Sequence, residues 1–95
     1  MISKVKDPDE DLDYTWDFTN LLASGETIVS YTFPDAPDDE VFEIHDDASS
    51  GTAVTAFVAE GGTVDADYDV ACRIVTNANP PRTIERSIKF RMRSK

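Results

Sequence analysis

The chain has one cysteine, one histidine and four glycines in 95 residues, and no Lys or Arg between Asp7 and Asp47. With Cys72 alone, no internal disulfide forms and no thiolate metal site is available, which suits a protein that folds in a reducing cytoplasm. With His45 alone, any Ser–His–Asp or Cys–His arrangement must draw on that one imidazole. Cys72 falls on the apolar side of an alternating segment, where a free thiol behaves as a small buried hydrophobe. No phosphate-cradling glycine loop and no zinc-ligand spacing occurs. No apolar run approaches the roughly 18 residues of a membrane helix. Met1-Ile2-Ser3-Lys4-Val5-Lys6 lacks the apolar stretch of a signal peptide. A chain made and used in soluble form inside the cell is expected, with no cofactor, no catalytic residue and no enzyme activity.

The charge is uneven. The formal net charge is −10, with fourteen Asp or Glu between Asp7 and Asp47, whereas Arg82 to Lys95 holds six Lys or Arg against one acid, Glu85. Such polarity fits a two-faced module, or acids that keep the domain soluble while a basic strand neutralises them within the fold. The overall acidity argues against nucleic acid, because phosphate binding needs a dominant positive surface.

The apolar pattern has period two. Leu12, Tyr14, Trp16 and Phe18 alternate with Asp13, Thr15 and Asp17, so they line one side of an extended segment and share no helical stripe. Residues Thr27–Phe33, Val41–Ile44, Thr52–Ala59, Tyr68–Thr76 and Ile84–Met92 read as further strands. Pro34 to Asp39, His45 to Gly51 and Asn77 to Pro81 read as turns. Thr19–Gly25 reads as one helical turn, with Asp17 or Thr19 as cap and Gly25 in the left-handed position. Residues 1–11, with Pro8 fixing the backbone, read as an extended arm that offers little to bury. The expected architecture is all-β: a small immunoglobulin-like antiparallel sandwich of six strands over residues 12–95, seven if the arm or Thr63–Asp65 pairs. Tyr68 near a strand start suits the tyrosine corner of such sandwiches, with its hydroxyl bonded back to nearby backbone.

Few residues invite chemistry. A calcium cage would draw on Asp35, Asp38, Asp39, Asp46 and Asp47, or on Asp65, Asp67 and Asp69, but no regular calcium loop is present and exposed turns explain these acids more simply. Trp16 shares the parity of Leu12, Tyr14 and Phe18 and so reads as core rather than as a binding anchor. Arg86 shares the parity of Ile84, Ile88 and Phe90. It either points inward to an acid, the favoured option, or faces a partner.

The residues carry a resemblance. Lys6-Asp7-Pro8-Asp9-Glu10, Leu12-Asp13-Tyr14, Trp16-Asp17-Phe18 and Leu21-Leu22-Ala23-Ser24-Gly25-Glu26-Thr27-Ile28 resemble small structural proteins of tailed bacteriophages. So do Gly61-Gly62, Tyr68-Asp69-Val70 and the run from Thr83 to Arg93. Such proteins resemble immunoglobulin-like virion modules and serve as adaptors between tail and fibre or as head–tail accessory proteins. The resemblance implies a non-enzymatic virion protein made in the host cytoplasm and present in several symmetric copies. Its implied partners are portal or connector, tail, fibre or capsid proteins, with head decoration as the alternative task. A calcium-dependent carbohydrate- or surface-binding module is the alternative of another class. The arm and the basic last strand nominate Lys4, Lys6, Asp7, Pro8, Asp9, Arg86, Arg91 and Arg93 for partner docking.

Overall fold

The computed structural model describes residues 2–34 and 42–93. Seven strands and one 3-10 turn follow in order: β1 (Ile2–Lys6), β2 (Leu12–Asp17), the turn Thr19–Leu21, β3 (Ile28–Thr32), β4 (Ile44–Ser50), β5 (Ala53–Val58), β6 (Asp67–Thr76) and β7 (Thr83–Met92). They form two sheets, ordered β1-β7-β6-β3 and β2-β5-β4. Without β1, these are the CFG and BED orders of an immunoglobulin-type sandwich. The expected all-β sandwich is what the chain forms.

The seventh strand comes from the arm. Residues 2–6 are extended and pair with β7 in parallel, from Ile2 opposite Ile88 to Lys6 opposite Met92. This is the one departure from an antiparallel sandwich. Parallel neighbours need a long connection between them, and here nearly the whole domain supplies it.

Alternation explains the core. In β5 every second residue is buried, and Val54, Ala56 and Val58 face Val70, Cys72 and Ile74 of β6 and Ile88, Phe90 and Met92 of β7. Trp16 and Phe18 come from β2 and its end, and Phe42 from the start of the β4 region. Trp16 is 1% exposed and its Nε1 donates to the Val70 carbonyl at 3.1 Å, so the indole brings its polar atom into the core satisfied. Tyr14 meets Phe90 edge-on at 4.7 Å, and Phe42 meets Tyr68 at 5.5 Å. Burial pushes the Cys72 thiol up to about 12, which leaves it un-ionised near neutrality.

Two segments depart from the pattern. Val41 and Pro34–Asp39 apart from Pro34 lie outside the described residues, and β4 begins at Ile44 and runs through the expected turn His45–Ser50. Asp and Ser disfavour strands, but β4 is an edge strand whose Asp46, Asp47, Ala48, Ser49 and Ser50 are exposed. A bulge between His45 and Ala48, with Asp46 at φ +50, absorbs the mismatch. The Thr19 turn is shorter than expected. Asp17 Oδ1 accepts from Thr19 N–H at 2.9 Å and from Thr19 Oγ1 at 2.6 Å, and Gly25 takes φ +80 in the following turn.

The tyrosine corner is present. The Tyr68 hydroxyl accepts the Thr63 N–H at 3.1 Å. The ring packs so close to Gly62, itself at φ +87, that a Cβ there would lie 3.1 Å from Tyr68 Cε2 and 3.2 Å from Met92 Cε.

Candidate functional site: the two ends of the sandwich

The described part of the molecule is elongated, 44 × 21 × 18 Å, and a hydrogen-bonded polar network stands at each of two ends. At the first end, Asp7-Pro8-Asp9-Glu10 closes a turn in which Glu10 N–H donates to the Asp7 carbonyl at 3.0 Å. Pro8 supplies the fixed φ that the second turn position wants, and Asp suits the first. Asp7 Oδ1 accepts from Asp9 N–H at 2.9 Å, and Glu10 Oε1 accepts from Asp7 N–H at 3.0 Å. Gly61 N–H donates to the Pro8 carbonyl at 2.7 Å, which ties the turn to the β5–β6 loop. Arg93 closes the other side, with its N–H on the Lys6 carbonyl and its guanidinium 3.5 Å from Asp67. Leu12 and Val64 leave apolar surface beside these charges, 43% and 47% exposed.

Lys6 belongs beneath this end, not on it. Its side chain is buried, and Nζ donates to the Asp7 carbonyl at 3.2 Å. Burial pulls its pKa down, and Glu10, Asp11, Asp7 and Glu60 around it partly restore the charge. It therefore offers no surface to a partner. Asp9 is exposed, and Asp7 and Pro8 are half-buried. Arg91 is exposed opposite Asp67, on the outer face of the four-stranded sheet, beside Val5 of β1. Lys4 is exposed on β1. The structure thus gathers Lys6, Asp7, Pro8, Asp9, Arg91 and Arg93 near one end, with Lys4 along the adjoining edge.

Arg86 stands apart, nearer the other end. It has the inward parity expected, opposite Cys72, yet it is exposed. The expected internal ion pair is absent: among the described residues no carboxylate lies within ion-pair distance, although Asp17 is near enough to be lowered in pKa by it. Ile88, Phe90 and Met92, further along the same face of β7, are buried, so cover is lost towards the start of the strand.

The second end holds a network that the sequence did not announce. Glu26 is 7% exposed, and its carboxylate accepts from Thr76 Oγ1 at 2.6 Å and from Ala23 N–H at 2.8 Å, with Arg82 Nε at 3.4 Å. These contacts hold its pKa below the ordinary value, chiefly through the Thr76 hydroxyl and then the Ala23 amide. Thr76 Oγ1 also accepts the Arg82 N–H at 3.2 Å, and Arg82 Nη2 donates to the Leu21 carbonyl at 2.7 Å. Glu26 and Arg82 help to wall a shallow depression of about 330 Å³, lined also by Ala23, Ser24, Gly25, Asn77 and Ala78. Leu21 and Glu26 lie 50 or more residues from Thr76 and Arg82, and only the lone Glu26 between Gly25 and a β-branched strand hinted at the network.

His45 is the remaining polar centre. Nδ1 lies 2.9 Å from Asp46 Oδ2, Nε2 lies 2.9 Å from Asp11 Oδ1, and the ring stacks on Phe57 at 5.4 Å. Both carboxylates raise its pKa, Asp46 foremost. Among the described residues no group of three or more His, Cys, Asp or Glu is arranged to hold a metal ion. Asp47 takes the Tyr31 hydroxyl at 2.7 Å, Asp65 and Asp67 face Arg93, and Asp35, Asp38 and Asp39 lie outside the described residues. Among the described residues no helix is long and apolar enough to cross a membrane.

The fold defines the class as a small immunoglobulin-type β-sandwich. The family model for podophage GP4 fiber-tail adaptor protein gp77 matches residues 6–91, and the chain belongs to that family of phage structural adaptors. No curated protein matches it.

Proposed function

We propose that the chain is a non-enzymatic docking module of the phage virion that joins tail and fibre proteins through the two ends of its sandwich. The observation that carries this reading is the pair of opposite, differently built poles on a body 44 Å long. One presents the Asp7–Glu10 turn with Pro8, Asp9 and Arg93, and exposes the apolar side chains Leu12 and Val64. The other presents the depression walled by Glu26 and Arg82. Both are held by hydrogen bonds within the chain, so a partner meets surfaces already in place and little ordering cost attends binding. Cys72, buried and un-ionised, and His45, held between two carboxylates, leave no activated nucleophile in this reading.

Purified tail and fibre proteins, each tested for co-elution with the chain, examine it directly. Asp9→Arg should abolish binding of one component and Ser24→Trp, which fills the depression, binding of the other. Retention of both partners by both variants overturns the two-pole mechanism.

A further inference from the structure

The long side chains of the depression at the second end turn their acceptors inward and leave donors outward. Glu26 is the one acid in its lining, and only 4% of its side chain is exposed. One of its oxygens takes the Ala23 N–H at 2.8 Å, and the other takes the Thr76 hydroxyl at 2.6 Å, with Arg82 Nε at 3.4 Å. Asn77 Oδ1 accepts the Thr27 N–H at 2.9 Å, and the Asn77 N–H returns to the Thr27 carbonyl at 3.0 Å, which fixes the residue against the start of β3. Its Nδ2, with two N–H groups, then has no acceptor among the described residues.

Arg82 has the same asymmetry. Nε faces Glu26 and Nη2 donates to the Leu21 carbonyl at 2.7 Å, so Nη1 keeps both of its hydrogens on a side chain 47% exposed. The backbone beneath is clamped too, since the Arg82 N–H donates to Thr76 Oγ1 and the Thr76 N–H to the Arg82 carbonyl. A planar guanidinium anchored through two nitrogens points its third in a set direction.

We infer that the depression is a carboxylate receptor, taking an Asp or Glu side chain from a loop of the virion protein that docks at this end. Arg82 Nη1 and Asn77 Nδ2 are the donors. The inference rests on the two-pole reading above and specifies what the second pole recognises. A carboxylate only accepts hydrogen bonds, so it suits these donors, and its bond to Arg82 is charge-assisted, roughly twice as strong as a neutral one. A Lys or Arg of a partner finds no counterpart here, because the one lining carboxylate is buried and already holds its own donors. A single exposed contact of this kind is weak, so a free acidic peptide should bind only at roughly millimolar concentration.

Nuclear magnetic resonance of the isotope-labelled full chain tests this with acetyl-Gly-Asp-Gly-amide, and with acetyl-Gly-Asn-Gly-amide as the neutral control at the same pH and salt. The acidic peptide should shift the Asn77 side-chain amide, the Arg82 Nε–H and the Ser24 and Gly25 amides saturably, and the neutral one should leave them in place. Asn77→Asp is the sharpest variant: it keeps an oxygen for the Thr27 N–H and replaces the two free N–H groups with a second oxygen. It should retain the native spectrum and lose the response. Arg82→Gln, which removes Nη1, should also lose it, and serves where Asn77→Asp disturbs the fold. Absence of localised shifts, equal shifts from both peptides, or a folded variant that still responds overturns the inference. Co-elution reads the docking separately. A chain that binds the acidic peptide, but whose Ser24→Trp variant retains both virion partners, keeps the carboxylate site and overturns its assignment to a virion protein.

Discussion

Thr76 Oγ1 donates to Glu26 Oε2 at 2.6 Å, joining the end of β6 to the segment before β3 across 50 residues of sequence. The same oxygen accepts the Arg82 N–H, so one hydroxyl serves a buried carboxylate and a turn. Thr76→Val keeps the shape and removes both functions. A buried group left without its partner costs about 1–3 kcal/mol. For a domain this size that is a fall of roughly 5–20 °C in melting temperature. Thr76→Ser, which retains the hydroxyl, should lose much less. Calorimetry of the two variants against the parent decides it, and equal losses would show that the methyl, not the hydroxyl, matters at this position.

The tyrosine corner gives a second test. Tyr68→Phe removes only the acceptor of the Thr63 N–H and should cost about 0.5–1.5 kcal/mol, a typical net hydrogen bond. Gly62→Ala should cost more, on the order of 1–3 kcal/mol, since it combines a strained positive φ with a Cβ against Tyr68 and Met92. Urea unfolding should place the variants in that order. A Gly62→Ala chain as stable as the parent would mean the loop shifts freely.

The linear pattern revealed the strands because one face of each is buried, and period two then appears directly, as in Trp16 and Phe18 or Ile88 and Phe90. It also placed Tyr68 at its corner. It did not reveal that residues 2–6 complete the sheet, because an edge strand buries one end of one face, and Lys6 disguises a core position with an ammonium group. Nor did it show His45–Ser50 as a strand: the pairing partner, β5, overrides the turn preference of Asp and Ser on an exposed edge. Arg86 was read correctly for parity and wrongly for burial, since how far along a strand the opposite sheet reaches is a tertiary property. Of the ends, Asp7-Pro8-Asp9 was legible as local turn chemistry, whereas Glu26, Thr76 and Arg82 meet only after folding.

The pH dependence has two limbs of opposite sign. The Glu26 pKa is depressed in the fold, so its contribution is present above the ordinary 4.5 and is lost as pH falls through the lower folded value. Asp17, held down chiefly by the Thr19 hydroxyl, acts in the same direction. The His45 pKa is raised, so its contribution is complete below the ordinary 6.5 and is lost as pH rises through the higher folded value. Stability should therefore peak on the acid side of neutrality, between the two limbs. His45→Gln should flatten the decline above neutrality and leave the acid limb in place, and Thr76→Val should move the acid limb to higher pH. Melting temperatures across both limbs provide the measurement. A decline above neutrality that survives in His45→Gln would assign it instead to self-repulsion among the chain's excess carboxylates.

Removal of residues 2–6 tests whether β1 is part of the body. The strand supplies a five-residue ladder to β7, and Lys6 closes the core beside Met92 while its carbonyl takes the Arg93 N–H. A chain beginning at Asp7 loses these bonds and uncovers the edge of β7 from Ile88 to Met92. Its melting temperature should fall by more than ~5 °C, since each kcal/mol lost is worth several degrees in a domain of this size. The fall should come with residual β structure by circular dichroism, because the two antiparallel sheets remain. Lys6→Met separates the contributions: it keeps the stem in the core, removes a desolvated charge, and should leave the midpoint unchanged or raise it. A truncated chain that melts with the parent would return residues 2–6 to the status of an accessory arm.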